Sequence, residues 1–337
     1  MANERVAVVG AGGISDAWFK ILPKEQLDIV AVVDLDLEKA NLAVAKHGLN
    51  ASAWNDLRKA MRKTKPDLVI DLTVPEAHCK VTCTALRAGC NVLGEKPMAS
   101  TLPQARRMCR SAAATGKTYA VSQSRRYNSF HEQIRRAISA GAIGPITTVN
   151  CDFYIPAHFT GFRLEMPSPL ILDMAIHQFD LARFFTGLDA TSVYAIEFNP
   201  QGSWYRGDAA ATCVYQMTGG VVFTFRGSWC AEGCATSWHG NWRFVGEKGT
   251  ILYENDKPPR GETIAKSEGF MYPTIPLEME TLPQIYESFH GSLHEMVTHM
   301  RGGPKPSTHC DDNIKSLAMV FAAIDSSRRH RPVPVRT

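Results

Sequence analysis

Two short stretches of the 337-residue chain carry side chains suited to moving a proton and steadying a reacting oxygen. Asp173-Met174-Ala175-Ile176-His177-Gln178-Phe179-Asp180 lies in a stretch that reads as one helix, Leu170 to Phe185, stopped at Gly187. Asp173, His177 and Asp180 then stand at i, i+4 and i+7 on one face. A carboxylate one turn from an imidazole orients the ring and raises its basicity, which suits a base that takes a proton from an alcohol. Ile171, Leu172, Met174, Ile176 and Phe179 make most other sides of this helix apolar, so the polar stripe is expected to face a pocket. The second stretch, Glu95-Lys96-Pro97, follows the strand-like Asn91 to Gly94. A lysine at the carboxyl end of a strand in an open α/β sheet can polarise a hydroxyl or carbonyl oxygen and stabilise a developing alkoxide.

Such chemistry needs an acceptor for the electrons, and the N-terminus offers a place for one. Gly10-Ala11-Gly12-Gly13-Ile14-Ser15 follows the apolar Val6-Ala7-Val8-Val9 and opens a helix, the setting of a dinucleotide-binding glycine loop. Gly10 permits the tight turn, Gly12 lets a pyrophosphate approach the backbone, and the helix N-terminus supplies N–H donors. Ser15 stands where a third glycine is usual. Asp34, at the end of the second strand-like segment, can accept hydrogen bonds from the adenine ribose. A carboxylate there repels a 2′-phosphate and Leu35-Asp36-Leu37 offers no arginine, so NAD is favoured over NADP.

The elements that must position these residues fall into two patterns. Up to about residue 122, strand-like segments (5–10, 27–34, 67–74, 91–94, 117–121) alternate with amphipathic helical stretches (37–47, 56–63, 76–88, 102–114). That order predicts an α/β Rossmann domain, a doubly wound parallel sheet, over residues 1–122. From 123 to 337 the pattern predicts an α+β domain with a mostly antiparallel open sheet. Helices are expected at 129–140, 284–300 and 311–328, strands through 146–155 and 191–255, a turn at Thr218-Gly219-Gly220, and an exposed loop at 256–268.

Composition excludes several classes. Hydrophobic residues make up 45% and charged residues 21%, the balance of an ordinary globular protein, and the net charge of +4 is scattered rather than gathered into a basic tail, so no nucleic-acid partner is expected. No apolar run has the length of a membrane span and the first residues form no signal-peptide pattern, so the expectation is a cytoplasmic protein without a membrane partner. Nine cysteines without a CxxC pair read as reduced, mostly buried thiols. His294 and His299 are five apart, which breaks the HExxH zinc pattern, and His290/His294 lack a placed third ligand; no metal is expected. Trp204, Trp229, Trp238 and Trp242 read equally as core packing or as sugar-stacking platforms.

Taken together, the GxGG loop, Thr73-Val74-Pro75 with His78, Glu95-Lys96-Pro97 and the D-x-x-x-H-x-x-D run at 173–180 resemble the glucose-fructose oxidoreductase / inositol dehydrogenase (Gfo/Idh/MocA) family, over residues 5 to about 255. The resemblance implies Lys96, Asp173 and His177 as the catalytic set, a Lys96-Pro97 bond that is often cis, and a homodimer or homotetramer formed through the C-terminal sheet. It adds Gly10, Gly12, Gly13, Ile14, Asp34, Thr73, Val74, Pro75, His78, Glu95 and Lys96 as cofactor contacts. Arg125-Arg126-Tyr127-Asn128 is similar to a substrate-reaching segment of inositol dehydrogenases, with His158 and Asp180 as further polyol-binding positions. Departures are Pro169-Leu170 where glycines commonly precede the catalytic helix, and Ser124 where many members carry Asn. The function expected is NAD-dependent oxidation of a secondary alcohol of a cyclic polyol, sugar or glycoside. The alternatives are a reductase of a keto sugar or imine, and a non-catalytic dinucleotide-sensing regulator.

Overall fold

Runs of β-branched residues bounded by glycine, proline and acidic caps build the N-terminal part of the chain. The computed structural model describes residues 3–337. In order come β1 (Arg5–Val9), α1 (Ser15–Ile21), β2 (Asp28–Val33), α2 (Leu37–Lys46), β3 (Ser52–Trp54), α3 (Leu57–Thr64), β4 (Leu68–Asp71), α4 (Pro75–Arg87), β5 (Asn91–Glu95), α5 (Leu102–Thr115) and β6 (Tyr119–Ser122). The strands pair in parallel in the order β3-β2-β1-β4-β5-β6. The order reverses between β1 and β4, where doubly wound sheets open a ligand crevice at the carboxyl ends. Val6, Val8, Leu68, Ile70, Val92 and Leu93 are fully buried, as strands covered on both faces require. Helix starts are set by side chains that accept orphan N–H groups: Asp36 from Glu38, Asp56 from Lys59 and Thr101 from Gln104. The short β3 is absent from the sequence reading because its three residues are too few to show a period.

The rest of the chain adds α6 (Ser129–Ser139), β7 (Ile146–Tyr154), a π-helical turn over Leu170–Ala175 continued by α7 (Ile176–Thr186), β8 (Ala190–Phe198), β9 (Ala210–Met217), β10 (Val222–Ser228), β11 (Asn241–Gly246), β12 (Gly249–Tyr253), β13 (Arg260–Ile264) and β14 (Thr274–Pro276). It closes with α8 (Phe289–Met300), α9 (Cys310–Arg329) and β15 (Val333–Pro334). The second sheet runs β14-β13-β12-β11-β7-β10-β9-β8-β15, antiparallel throughout except where β7 meets β10. Its covered face is aromatic. Phe179 of α7 packs edge-on against Tyr215, Phe223 and Phe225, and Phe185 against Trp242 and Phe244. Each such pair contributes about 0.5–1.5 kcal/mol beyond the area it buries. Trp229 and Trp242 are thus core residues, whereas Trp238 remains exposed.

Two units of contact emerge: one from the chain up to Tyr127 with Tyr286–Ile314, the other from Asn128–Ile285 with Lys315–Thr337. This differs from a single break after residue 122. The return to the first unit has a physical cause in α8, whose Leu293, Met296 and Val297, at i, i+3 and i+4, enter the same core as Val6, Trp18 and Leu68. Three further expectations change. The polar segment 256–268 holds strand β13, whose faint alternation is rescued by pairing with β12. The helix expected from 284 begins at Phe289, because Ser288 takes a left-handed φ of 54° that no helix continues through. The helix expected from Leu170 to Phe185 is a π-helical turn followed by α-helix. No helix among the described residues is long and apolar enough to cross a membrane.

Candidate active site

In the first unit the carboxyl ends of β1, β2 and β4 converge. Gly10 has φ 101°, and a Cβ there would lie 2.7 Å from the Leu72 carbonyl oxygen, so the turn out of β1 and its approach to the end of β4 both require glycine. Gly12 and Gly13 face open space, with nothing within 4 Å of where a Cβ would be. Asp34 braces this loop: one carboxylate oxygen accepts the Ala11 N–H at 2.8 Å and the other that of Asp36 at 3.0 Å. Ser15, in the third glycine's place, turns its hydroxyl back onto the Gly12 carbonyl at 2.7 Å. Ile14 is partly exposed at the entry to α1, and Val74 is exposed just before Pro75, the first residue of α4. A bare backbone cradle at a helix entry, with a carboxylate at the neighbouring strand end, fits a dinucleotide.

The end of β5 is held from three sides. Glu95 is buried and accepts Trp18 Nε1–H at 2.9 Å, and burial pushes its carboxyl above the usual carboxylate range. The Lys96-Pro97 peptide is cis. His78 is enclosed, with Nδ1 3.0 Å from the Pro97 carbonyl and Nε2 2.8 Å from that of Thr73, so one imidazole links the turns after β4 and β5. Thr73 is held in turn by Asp71, which accepts its hydroxyl at 2.6 Å. Lys96 therefore leaves the sheet from a turn whose neighbours are fixed by tryptophan, histidine and aspartate side chains.

The second unit carries Asp173 in the π-helical turn and His177 and Asp180 in α7. π-Helical turns are uncommon and recur at functional sites, because the extra residue rotates the side chains relative to an α-helical face. Asp173 accepts Arg163 Nε–H at 2.6 Å, and that guanidinium also lies 4.8 Å from the Phe159 ring centre and 4.7 Å from that of Phe162. His177 is 8% exposed. Asp180 accepts the Ser316 hydroxyl at 2.7 Å, and Ser316 accepts from Arg183, which pairs with Asp189. Asp180 thus belongs to a buried network tying α7 to α9.

The remaining expected residues scatter. Arg126 is buried and binds the Ser307 carbonyl at 2.9 Å and Asp312 at 2.7 Å, within the first unit, while Arg125 beside it is half-buried. His158 stands on the surface, paired with Glu232 at 2.8 Å and stacked on Trp204 at 3.7 Å. His290 and His294, without a placed third ligand in sequence, both face the buried Glu25 carboxylate, at 2.8 and 3.1 Å. Two residues escaped the sequence reading. Arg163 gave no signal because its partner Asp173 is reached only through the loop's path. Gln123, at the carboxyl end of β6 and 1% exposed, has neither amide atom hydrogen-bonded among the described residues. In register it follows the Glu95–Ser122 pair and so falls beside Lys96.

Comparison with known proteins agrees with these features. Residues 4–123 match the oxidoreductase family with an NAD-binding Rossmann fold, and residues 131–252 match the GFO/IDH/MocA C-terminal domain. A D-glucoside 3-dehydrogenase of Escherichia coli is 36% identical over 59% of each chain. A 1,5-anhydro-D-fructose reductase of Ensifer adhaerens is 26% identical over 99% of both. An oxidoreductase from Agrobacterium radiobacter, solved with NAD+, L-tartaric acid and magnesium, superposes with a TM-score of 0.85 at 19% identity, covering 99% of this chain and 98% of that one. At that identity the likeness is one of fold. With both family profiles matched in order and together spanning most of its length, the chain belongs to the GFO/IDH/MocA family of NAD-binding oxidoreductases acting on CH–OH groups.

Proposed function

We propose that the protein is an NAD-dependent dehydrogenase oxidising a secondary alcohol of a cyclic polyol, sugar or glycoside, with Lys96, Asp173 and His177 as its catalytic residues. The observation that carries this reading is the turn at Glu95-Lys96-Pro97, braced by Trp18 and His78 at the carboxyl end of a strand in a dinucleotide-binding sheet. When bound, NAD supplies the two-electron oxidant. His177 takes the hydroxyl proton, Asp173 stabilises the imidazolium, and the Lys96 ammonium steadies negative charge on the substrate oxygen. Arg163 acts as a positioning residue by holding the Asp173 carboxylate. Asp34 favours NAD over NADP, since a second negative charge on the ribose would meet its carboxylate. Arg125, Arg126, His158 and Asp180 line or support the polyol site; for Arg126 and Asp180 the observed hydrogen bonds favour support over direct contact.

Relatives named for a glucoside, for an anhydro sugar and, at 30% identity over 56% of each chain in Renibacterium salmoninarum, for inositol support a cyclic substrate. A homo-oligomer formed through the second sheet is supported by Tyr194, Ile196, Phe198 and Val214, which β8 and β9 leave exposed. Substituting Ile196 and Phe198 with lysine should lower the mass measured by light scattering to that of one chain. The reaction is tested by offering polyols, aldoses and glycosides with NAD or NADP and following reduced-nicotinamide absorbance. Turnover of none of them, with NAD binding intact, would overturn the dehydrogenase reading.

A further inference from the structure

A second cluster of chemically able side chains lies at the start of α9, among residues assigned no part above. The sulfur atoms of Cys109 and Cys310 and a carboxylate oxygen of Asp311 lie within 4.8 Å of one another. His309 adjoins the group: its Nδ1 is 3.7 Å from Cys310 Sγ and 3.3 Å from Asp311 Oδ2, and Cys310 Sγ is 3.9 Å from Asp311 Oδ1. In a tetrahedral zinc site, metal–sulfur bonds of about 2.3 Å and metal–nitrogen or –oxygen bonds of about 2.0–2.2 Å place the ligand atoms roughly 3.3–3.8 Å apart. The separations among His309, Cys310 and Asp311, 3.3–3.9 Å, lie near that spacing, and Cys109 stands within 4.8 Å of Cys310 and Asp311.

We propose that Cys109, His309, Cys310 and Asp311 form a binding site for one divalent cation of the zinc class. Two thiolates, an imidazole and a carboxylate are the donor set that selects a borderline-soft ion over magnesium or calcium. His309 Nδ1 accepts the Asp311 backbone N–H at 3.2 Å, a hydrogen bond its lone pair would exchange for the ion. Cys310 is fully buried while Asp311 is 68% exposed on its side chain, giving the ion an entry from solvent and a dry interior half. Two thiolates and a carboxylate around a dication leave one negative charge, and Lys305 Nζ is 3.5 Å from Asp311 to offset it.

The site would act as a clamp. Cys109 belongs to α5, while the turn carrying His309 lies along β6, with Val121 N–H donating to the Thr308 carbonyl at 3.1 Å and a bridge joining Ala120 to His309. An ion here would pin the edge strand that leads into Gln123 and Arg126.

The reduced full-length protein, freed of metal, is titrated with Co2+ and then Zn2+. One equivalent of Co2+ should give the near-ultraviolet thiolate-to-cobalt charge-transfer band of a tetrahedral site, Zn2+ should displace it, and Zn2+ should raise the unfolding temperature. Cys109→Ser, which leaves one thiolate, should cut the band by at least half. Cys310 is enclosed and its replacement risks the fold, so Asp311→Ala, at an exposed position, is the second variant. It should weaken Co2+ by at least the roughly 10–100-fold that loss of an outer-shell partner costs. The absence of a charge-transfer band with Co2+ in excess overturns the proposal, as does an unchanged titration in Asp311→Ala. So does an intact mass lower by two hydrogens after purification without reductant, with both thiols unreactive, which would make the pair a disulfide.

Discussion

The two units present their chemistry by different means. In the first, the groups of the candidate site are backbone and short side chains at strand ends: a bare Gly12-Gly13 edge, a carboxylate that holds Ala11 N–H, and a histidine that joins two carbonyls. In the second, they stand on a helix whose first turn is π-helical, and their charges are balanced by long side chains from elsewhere, Arg163 on Asp173 and the Ser316–Arg183 relay on Asp180. A site made of backbone is set by local conformation and tolerates little change in residue type. A site made of helix-borne side chains depends on which neighbours reach it, so one helix can serve different substrates. This accords with a family whose members share a cofactor fold while being named for a glucoside, an anhydro sugar and inositol.

That contrast can be broken by substitution. His177→Ala should have the largest effect, a loss of about 10²–10⁴ in turnover with the basic-side pH dependence flattened. Asp173→Asn should lose activity as well, and the double variant should be little worse than His177→Ala alone, because the two serve one proton transfer. Steady-state rates of both single variants and the double across a pH series decide this; losses that multiply would make the helix stripe structural. Lys96→Met should lower turnover by about 10²–10³, the usual consequence of losing one group that stabilises a developing oxyanion, while NAD titration by calorimetry stays unchanged. If turnover persists, the first unit only holds the cofactor and all the chemistry lies in the second.

Stability offers a smaller test. Glu197 on β8 is pushed up to about 7 by burial, Ser168 donates to one oxygen, and the other, Oε1, is buried without a partner among the described residues. The folded state therefore holds a proton that the unfolded chain, near 4.5, releases earlier. Stability should be highest below about 4.5 as far as this group is concerned, fall as pH rises to about 7, and level off above. The contribution lost is at most about 3–4 kcal/mol. Glu197→Gln should remove that slope in urea unfolding measured across the window, and an unchanged slope would assign it to other groups. The smallest effect is expected at Asp34. Its replacement by alanine should narrow the preference for NAD over NADP by about tenfold, the loss of one or two hydrogen bonds to a charged acceptor. A parent protein that binds NADP equally well would remove the basis of the expectation.

Much of the first unit was legible because its signals are short in sequence. Val6 to Ser15 contains a strand, a turn and a helix entry in ten consecutive residues, and Gly10 has a local steric reason. The position of Asp34 follows from the length of one β-α-β step. The aromatic strands of the second unit were legible by alternation, but β13 was not, since its polar residues become a strand only by pairing with β12. The chain by itself determined most of the element types, the glycine loop, the turn at Lys96 and the residues of the proposed catalytic helix. Tertiary structure alone decided that residues 286–314 return to the first unit, because Leu293, Met296 and Val297 can be buried only against a core already built by β1 and β4. It decided that Arg163 meets Asp173, and that Asp180 turns to Ser316. It also brought Cys109 within reach of Cys310, 201 residues later, a proximity with no periodicity behind it: spacing rules describe neighbours along one element, and these two sulfurs meet only because α5 and the start of α9 pack together.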